Sequence, residues 1–103
     1  MPSEKLEARI QKLQLLQDGW YYPGSTAITE KAIAVCRLLN PPDTIFVAPH
    51  PEGGIGLESY DSKLMVEISS TGQISYLLED HDGKETEEEN VSVEYIKKKL
   101  GWP

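Results

Sequence analysis

The fold of this chain is decided by residues 49–78, PHPEGGIGLESYDSKLMVEISSTGQISYLL. Apolar side chains occupy every second position in three successive runs, which begin at Ile55, Leu64 and Ile74. A period of two places alternate side chains on opposite faces of a β-sheet, so that one face of each run can be buried while the other stays solvated. Short turn-forming segments separate the runs, and Gly72 can adopt the positive φ that a tight hairpin requires. The pattern predicts an antiparallel meander with one covered face.

The residues before this meander predict two amphipathic helices. Ser3 can cap the first helix, which should end near Gln17 because an Asp-Gly pair follows it. Thr29 can cap the second helix, over residues 30–39, and Asn40 followed by two prolines should end it. In both helices apolar residues recur at spacings of three and four, which is typical of a helix with one buried side. These residues are Leu6, Ile10, Leu13 and Leu16 in the first helix, and Ala32, Ile33, Cys36 and Leu39 in the second.

Further elements are predicted on either side of the meander. Residues 44–48, TIFVA, are rich in β-formers and predict a first strand. After a predicted turn at residues 80–83, residues 84–90 are nearly all polar and fit either a fifth strand at the sheet edge or a mobile loop. Ser92 can cap a short helix over residues 93–100, and Gly101 is suited to end it.

Together these elements predict an α+β fold with two layers. A four- to five-stranded antiparallel sheet forms the meander, two N-terminal helices cover one face of it, and a short C-terminal helix follows. With 103 residues, the expectation is a single domain over residues 1–103. A chain of this size can build a modest core without disulfides or metal.

Composition excludes several classes of function. The chain has 17 acidic and 10 basic residues, and its net charge of −7 argues against a nucleic-acid binder that neutralises phosphates. A single cysteine cannot form an internal disulfide, which fits a reducing compartment. The charged N-terminal segment is unlike a signal peptide, and no run approaches the ~20 apolar residues of a membrane span. We therefore expect a cytoplasmic protein that binds neither nucleic acid nor a membrane.

Four short motifs stand out: LQDGW at residues 16–20, AITEKAI at 27–33, PEGGIGLE at 51–58 and LMVEI at 64–68. Over roughly residues 13–78 they resemble a group of small uncharacterised prokaryotic proteins. Members of that group carry an Asp-Gly-Trp or Trp-Asp-Gly turn after a first helix, then a Gly-Gly-Ile-x-Leu-Glu strand and a Leu-x-x-Glu-Ile strand. The resemblance implies a shared fold and a prokaryotic origin, and no established activity comes with it.

Residue types that bind metals or attack substrates occur here without the partners that such sites need. Cys36 lies on the apolar stripe of the second helix. A nucleophilic thiol needs exposure and a positive neighbour, whereas a small buried apolar residue needs neither, so we expect Cys36 in the core. His50 and His81 have no second His or Cys at ligand spacing. The sequence DHDG at residues 80–83 lacks the other acidic positions of a calcium loop. The expectation is therefore no metal site.

Two further patterns were weighed as catalytic or phosphate-binding sites. The glycines of GGIG, residues 53–56, precede a strand rather than a helix and lack the Lys-Ser/Thr of a phosphate loop, so a turn and a bulge explain them better. Glu58 and Glu67 resemble a carboxylate dyad if they face each other across neighbouring strands, but both lie on the solvated face. The sequence therefore predicts no catalytic residue and no cofactor.

Excess negative charge is concentrated in residues 79–90. This segment holds seven acidic residues and one lysine, while the remainder of the chain holds ten acidic and nine basic residues. Such a run serves either as a solvated segment that aids solubility or as a surface that attracts a basic partner. The acidic residues are Glu79, Asp80, Asp82, Glu85, Glu87, Glu88 and Glu89.

Three consecutive aromatic residues, Trp20, Tyr21 and Tyr22, follow the first helix. Trp20 is expected to fill the core between helix and sheet, and burial of all three rings is the favoured interpretation because aromatic rings bury large areas. The alternative is that Tyr21 and Tyr22 are exposed and belong to an interface, where tyrosine is enriched.

The leading functional hypothesis is a non-enzymatic module that binds a basic protein through residues 79–90, together with Tyr21 and Tyr22. An inhibitor, immunity or antitoxin-like role suits its size and charge. One alternative is a small-ligand binder or enzyme that uses residues 53–58 and the exposed sheet face. Another is a self-associating structural subunit, a homodimer through Met65 and Leu77, which are apolar on an otherwise polar face.

Overall fold

A computed structural model of the chain describes residues 3–103. Its elements confirm the predicted α+β meander. The polar segment that follows the turn at residues 80–83 forms a fifth strand rather than a loop. In chain order they are α1 (Glu4–Gln14), α2 (Glu30–Leu39), β1 (Ile45–Pro49), β2 (Ile55–Ser59), β3 (Leu64–Ile68), β4 (Ile74–Glu79), β5 (Glu85–Val91) and α3 (Val93–Leu100).

The five strands form one antiparallel sheet in the order β1-β2-β3-β4-β5. Val66 at the centre of the sheet pairs with Leu57 on one side and Tyr76 on the other, and all three side chains are buried. Gly72 has a φ of 88° in the β3–β4 turn, as predicted. Between β4 and β5 the register shifts, and Asn90 adopts a φ of 55°, which marks a β-bulge.

All three helices contribute to one core against the inner face of the sheet, the face that carries Leu57 and Val66. The predicted apolar alternation is confirmed, because every residue of the set beginning Ile55, Leu64 and Ile74 is buried or half-buried. Burying one large aliphatic side chain contributes about 1.5–3 kcal/mol. The buried helical residues are Leu6, Ile10, Leu13, Ala32, Ile33, Cys36, Leu39 and Ile96.

Polar contacts tie the helices together and to the sheet. Arg37 Nε donates to Glu7 Oε1 over 3.0 Å and joins α2 to α1. Arg9 Nη1 donates to the carbonyl of Ile45 over 2.7 Å and joins α1 to β1. No sequence pattern indicated either contact, because both join residues more than 29 positions apart.

The predicted helix caps are confirmed at all three N-termini. The hydroxyls of Ser3, Thr29 and Ser92 accept hydrogen bonds from the backbone N–H three residues further on. The expected end of α1 near Gln17 is wrong, since the helix ends at Gln14. The next two N–H groups bond three residues back, to the carbonyls of Lys12 and Leu13, and this tighter turn ends the α-helix before the Asp-Gly pair is reached.

Burial of all three aromatic residues after α1 is also wrong. Tyr21 and Tyr22 are 70% and 44% exposed, and Trp20 is half-buried. The buried hydroxyl of Ser25 accepts hydrogen bonds from the backbone N–H groups of Tyr21 and Tyr22, so this turn directs its backbone inward and its rings outward. The tryptophan that does enter the core is Trp102, 8% exposed, which follows α3.

Candidate interaction surface

The outer face of the sheet, opposite the three helices, is an open surface with a distinct chemical character. Backbone alternation and the strand register assign twelve residues to it. Six of the twelve are glutamates and none is lysine or arginine. They are Phe46, Ala48, Gly56, Glu58, Met65, Glu67, Ser75, Leu77, Glu79, Glu85, Glu87 and Glu89.

The apolar strip of this outer face consists of two groups, Phe46 with Tyr60 on the β1 side and Met65 with Leu77 at the centre of the sheet. Met65 and Leu77 are direct partners across β3 and β4. Phe46 and the neighbouring Tyr60 are in contact, with ring centroids 4.1 Å apart, and they are 47% and 61% exposed. In the same row across the sheet, Glu58 lies between Phe46 and Met65, and Glu87 lies beyond Leu77. The face therefore alternates apolar groups with carboxylates.

Charge is divided between the two layers of the fold. The strands carry seven glutamates and no basic residue, a net charge of −7. The helices carry eight basic residues (Lys5, Arg9, Lys12, Lys31, Arg37, Lys97, Lys98 and Lys99) against four acidic ones (Glu4, Glu7, Glu30 and Glu94), a net charge of +4. The sequence reasoning located the negative charge in residues 79–90 and did not connect it to Glu58 and Glu67. Their alternation with buried residues was the signal that could have done so.

Four of the predicted partner-binding residues, Glu79, Glu85, Glu87 and Glu89, do lie together on the outer face. Glu88 does not, because it lies on the opposite face of β5. Its Oε1 accepts hydrogen bonds from the hydroxyls of Tyr76 and Tyr95, the latter over 2.6 Å. Lys99 Nζ lies 5.9 Å from the centroid of each tyrosine ring.

This cluster on the inner side is structural. The hydrogen bond from Tyr76, and then that from Tyr95, lowers the pKa of Glu88. Burial first, and the bond to Glu88 second, raise the pKa of Tyr76. The carboxylate of Glu88 is thus occupied in joining β4, β5 and α3, which removes it from the set of residues open to a partner.

Asp80 and Asp82 belong to the turn between β4 and β5. Asp80 Oδ1 accepts hydrogen bonds from the N–H groups of Asp82 and Lys84, each over 2.9 Å, so Asp80 stabilises the hairpin. The Asp82 carboxylate is exposed and lies 3.5 Å from His81 Nε2. Asp80 therefore has a structural role in the turn, whereas the carboxylate of Asp82 accepts no backbone hydrogen bond.

Tyr21 and Tyr22 lie at the other end of the sheet from this hairpin. Their loop is joined to the start of β2 by a bridge between Thr26 and Glu52, whereas the hairpin follows the end of β4. The length of a six-residue strand, about 20 Å, separates the two ends. The sequence analysis grouped the tyrosines with the acidic segment, but the structure places them at the opposite end of the sheet from the hairpin turn at residues 80–83.

A groove of about 360 Å³ lies at that same end of the outer face. Its lining includes His50, Glu67, Ser75, Glu89 and Asn90. The volume falls within the range of small-molecule sites, about 300–1,000 Å³, but such sites are lined mainly by apolar and aromatic side chains. This groove is lined mainly by polar groups, so its chemistry differs from that of a typical small-molecule site.

Within residues 3–103, the cysteine and the carboxylates considered as catalytic or metal-binding groups lack the partners that such sites need. Cys36 is fully buried, and burial raises the pKa of its thiol to about 12. Glu58 pairs with Met65, and Glu67 pairs with Gly56, so the two carboxylates are diagonal neighbours rather than an opposed dyad. Across this described part of the chain, no cluster of three or more His, Cys, Asp or Glu side chains is arranged to hold a metal ion.

Comparison of the chain with protein-family models, with curated proteins and with solved structures returned no match. None of the helices described between residues 3 and 103 combines the length and the apolar character needed to cross a bilayer. The chemistry and geometry of the surface therefore carry the functional argument.

Proposed function

We propose that this chain is a non-enzymatic protein-binding module that takes a basic partner on the outer face of its sheet. The observation that carries the proposal is the set of six outward glutamates on the strands, which hold no lysine or arginine, around the exposed apolar strip. Lys63, which directly precedes β3 and lies opposite Glu79, is a basic residue beside them. An inhibitor, immunity or antitoxin-like role is compatible with such a module. We place it in the cytoplasm, where its single buried cysteine would remain reduced.

The apolar strip and the glutamates have different roles in this proposal. Stable interfaces have a desolvated apolar or aromatic centre and a polar rim, and Phe46, Tyr60 and Leu77 offer such a centre. The glutamates around them select a partner of opposite charge and accelerate the encounter. Because four of these six glutamates are exposed and the other two are half-buried, salt should screen them, with a Debye length of about 8–10 Å at physiological ionic strength. Association should accordingly slow as salt is raised.

The same charges oppose self-association. Met65 and Leu77 are adjacent, as the homodimer hypothesis requires. A two-fold dimer through them would, however, bring the six glutamates of each copy into one interface, and like charges there cost several kcal/mol. A basic partner removes that conflict, and for this reason we favour a different protein over a second copy of this chain.

The proposal is tested by comparing two triple variants that have the same net charge. In the first, Glu58, Glu67 and Glu87 on the outer face are changed to Gln. In the second, Glu4, Glu30 and Glu94 on the helices are changed to Gln. Wild type and both variants are used as bait in an extract of the native host, and a carbodiimide cross-linker then joins carboxylates to contacting lysines.

We expect the outer-face variant to retain about tenfold less of the partner, because three exposed pairs at about 0.2–1 kcal/mol each sum to that factor. The helix variant should retain it, and cross-links should join partner lysines to strand glutamates. Urea unfolding of both variants controls for changes in stability. Equal retention by both variants, or loss confined to the helix variant, contradicts the proposal.

A further inference from the structure

The two edges of the sheet differ in how many backbone groups they leave free. The strand order makes β1 and β5 the edge strands. In an antiparallel ladder, residues along a strand alternate between bonding to the neighbouring strand and directing N–H and C=O away from it. One hydrogen bond at a known position therefore assigns every residue of an edge strand.

The β1 edge is largely closed. His50 N–H bonds to the carbonyl of Gly54 over 2.9 Å, so the residues that face away from β2 are Ile45, Val47 and Pro49. Ile45 N–H bonds to the carbonyl of Pro42, and its own carbonyl accepts from Arg9. Pro49 has no N–H to donate. Only Val47 keeps both a free donor and a free acceptor.

The β5 edge is open along the part that precedes the bulge. Asp80 N–H bonds to the carbonyl of Lys84 over 2.9 Å, so Glu85 and Glu87 face away from β4. Glu89 follows them at the bulge, where the register shifts. The N–H and C=O groups of Glu85 and Glu87 make no hydrogen bond to described residues outside the sheet, and all three glutamates are exposed. The free groups recur every ~6.8 Å, the repeat of an antiparallel strand.

We propose, resting on the proposed function, that β5 accepts an extended segment of the partner as a sixth strand, and that this segment carries Lys or Arg at every second position. Main-chain hydrogen bonds to the open edge would supply affinity, and side chains at alternate positions would supply specificity. Directly opposite residues in paired strands have Cβ atoms about 4.5–5.5 Å apart. Basic side chains opposite Glu85 and Glu87 would therefore contact the carboxylates.

The same geometry excludes a second copy of β5 as the occupant. Pairing two copies edge to edge would place glutamate against glutamate, and charge at an edge is a common protection against such pairing. The residues between the basic positions would lie on the inner side, beside Thr86 and the ring of Tyr95, which is 41% exposed. Uncharged residues, aliphatic or threonine, suit these intervening positions.

Three synthetic peptides of equal charge separate strand addition from simple charge attraction. The first has lysine at every second position with valine between. The second has the same sequence, with N-methyl groups on the backbone nitrogens that would face β5. The third has the same composition with the lysines contiguous. Binding of each fluorescent peptide to the full chain is measured by anisotropy.

Two proline variants locate the binding edge. Glu87→Pro removes an N–H that points away from the sheet, so it deletes a binding donor while the ladder to β4 remains. Val47→Pro makes the same change at the β1 edge and is the matched control. Glu87→Gln removes the charge and keeps the N–H. Circular dichroism and urea unfolding show that each variant is folded.

We expect the alternating peptide to bind wild type and Val47→Pro equally, and Glu87→Pro about tenfold or more weakly, because main-chain hydrogen bonds are lost. The N-methylated and contiguous peptides should be weakened similarly. If all three peptides bind alike, or if Val47→Pro is the variant that loses binding, strand addition at β5 is wrong. If no peptide binds, it is also wrong. In each case the charge-variant capture experiment still decides the outer-face proposal independently.

Discussion

Substitution of Gly54 by Ala is the most informative test of the fold, because it should destabilise the protein, whereas a glycine-to-alanine change at a position where alanine fits stabilises it. Gly54 precedes β2 and does not have a positive φ. Where alanine fits, it stabilises a protein by about 0.4–1 kcal/mol, since it reduces the freedom of the unfolded chain. At Gly54, however, an added Cβ would lie 2.3 Å from the carbonyl oxygen of Ile68.

The size of the destabilisation by Gly54→Ala depends on which atoms would have to move to admit the added Cβ. Real Cβ atoms essentially never approach another heavy atom within 3.0 Å, so the gap must open by about 0.7 Å. The obstructing atom belongs to the backbone of β3, which is paired on both sides and cannot rotate away as a side chain would. Overpacking in well-packed regions costs about 1–3 kcal/mol, and we expect the upper end here, about 3 kcal/mol. With an m value of about 2 kcal/mol/M, the urea midpoint should fall by about 1.5 M.

The assay is urea unfolding followed by tryptophan fluorescence, in which Trp102, buried in the core, reports on unfolding alongside the half-buried Trp20. Gly56→Ala, two residues further on and inside β2, is the matched control. Its added Cβ would approach no closer than 4.0 Å, to the carbonyl oxygen of Ala48, so its midpoint should stay level or rise by a few tenths of 1 M. If the two variants unfold at the same urea concentration, the close approach of Gly54 to β3 does not exist, and the pairing of β2 with β3 that places Gly54 beside Ile68 is refuted.

Two further predictions concern ionisable groups. The hydroxyls of Tyr76 and Tyr95 lower the pKa of Glu88 in the folded state. The ionised Glu88 therefore contributes to the free energy of unfolding above the ordinary pKa of a glutamate, 4.5. This contribution is lost as the pH falls through the folded-state pKa. The difference in urea midpoint between wild type and Glu88→Gln should therefore shrink below about pH 4.5, and a constant difference would contradict the hydrogen-bond assignment. Because burial raises the pKa of Cys36 to about 12, its thiol should react with a chromogenic disulfide reagent in denaturant but not in the native state, and rapid native reaction would show that α2 does not bury it.

Local signals in the sequence were sufficient for most of the secondary structure. Thr29 and Ser92 cap their helices as predicted, because a cap depends on residues only three positions away. The alternation around Val66 identified the buried face of the meander, because the period of a strand is a local property. The predicted end of α1 was three residues too late, because the last turn of the helix tightens before the Asp-Gly pair is reached. The position of a helix end depends on packing as well as on propensity.

The candidate surface was only partly accessible from the sequence. The acidic segment was evident, but the assignment of Glu88 to the opposite face from Glu87 needed the register of β5, which a polar strand does not reveal. Tyr21 and Tyr22 were expected in the core, because large aromatic rings favour burial. The hydrogen bonds from their backbone N–H groups to the Ser25 hydroxyl instead leave the rings directed to solvent.

The sequence by itself determined the order of helices and strands and the side of the sheet that is buried, because caps, turns and alternation act over a few residues. Only the tertiary structure decided which carboxylates share a face, that Trp102 rather than Trp20 enters the core, and that β5 rather than β1 has an open edge. Those outcomes depend on strand register and on contacts such as that of Arg9 with Ile45, which join residues far apart in the chain. Such contacts leave no periodic trace in a single sequence.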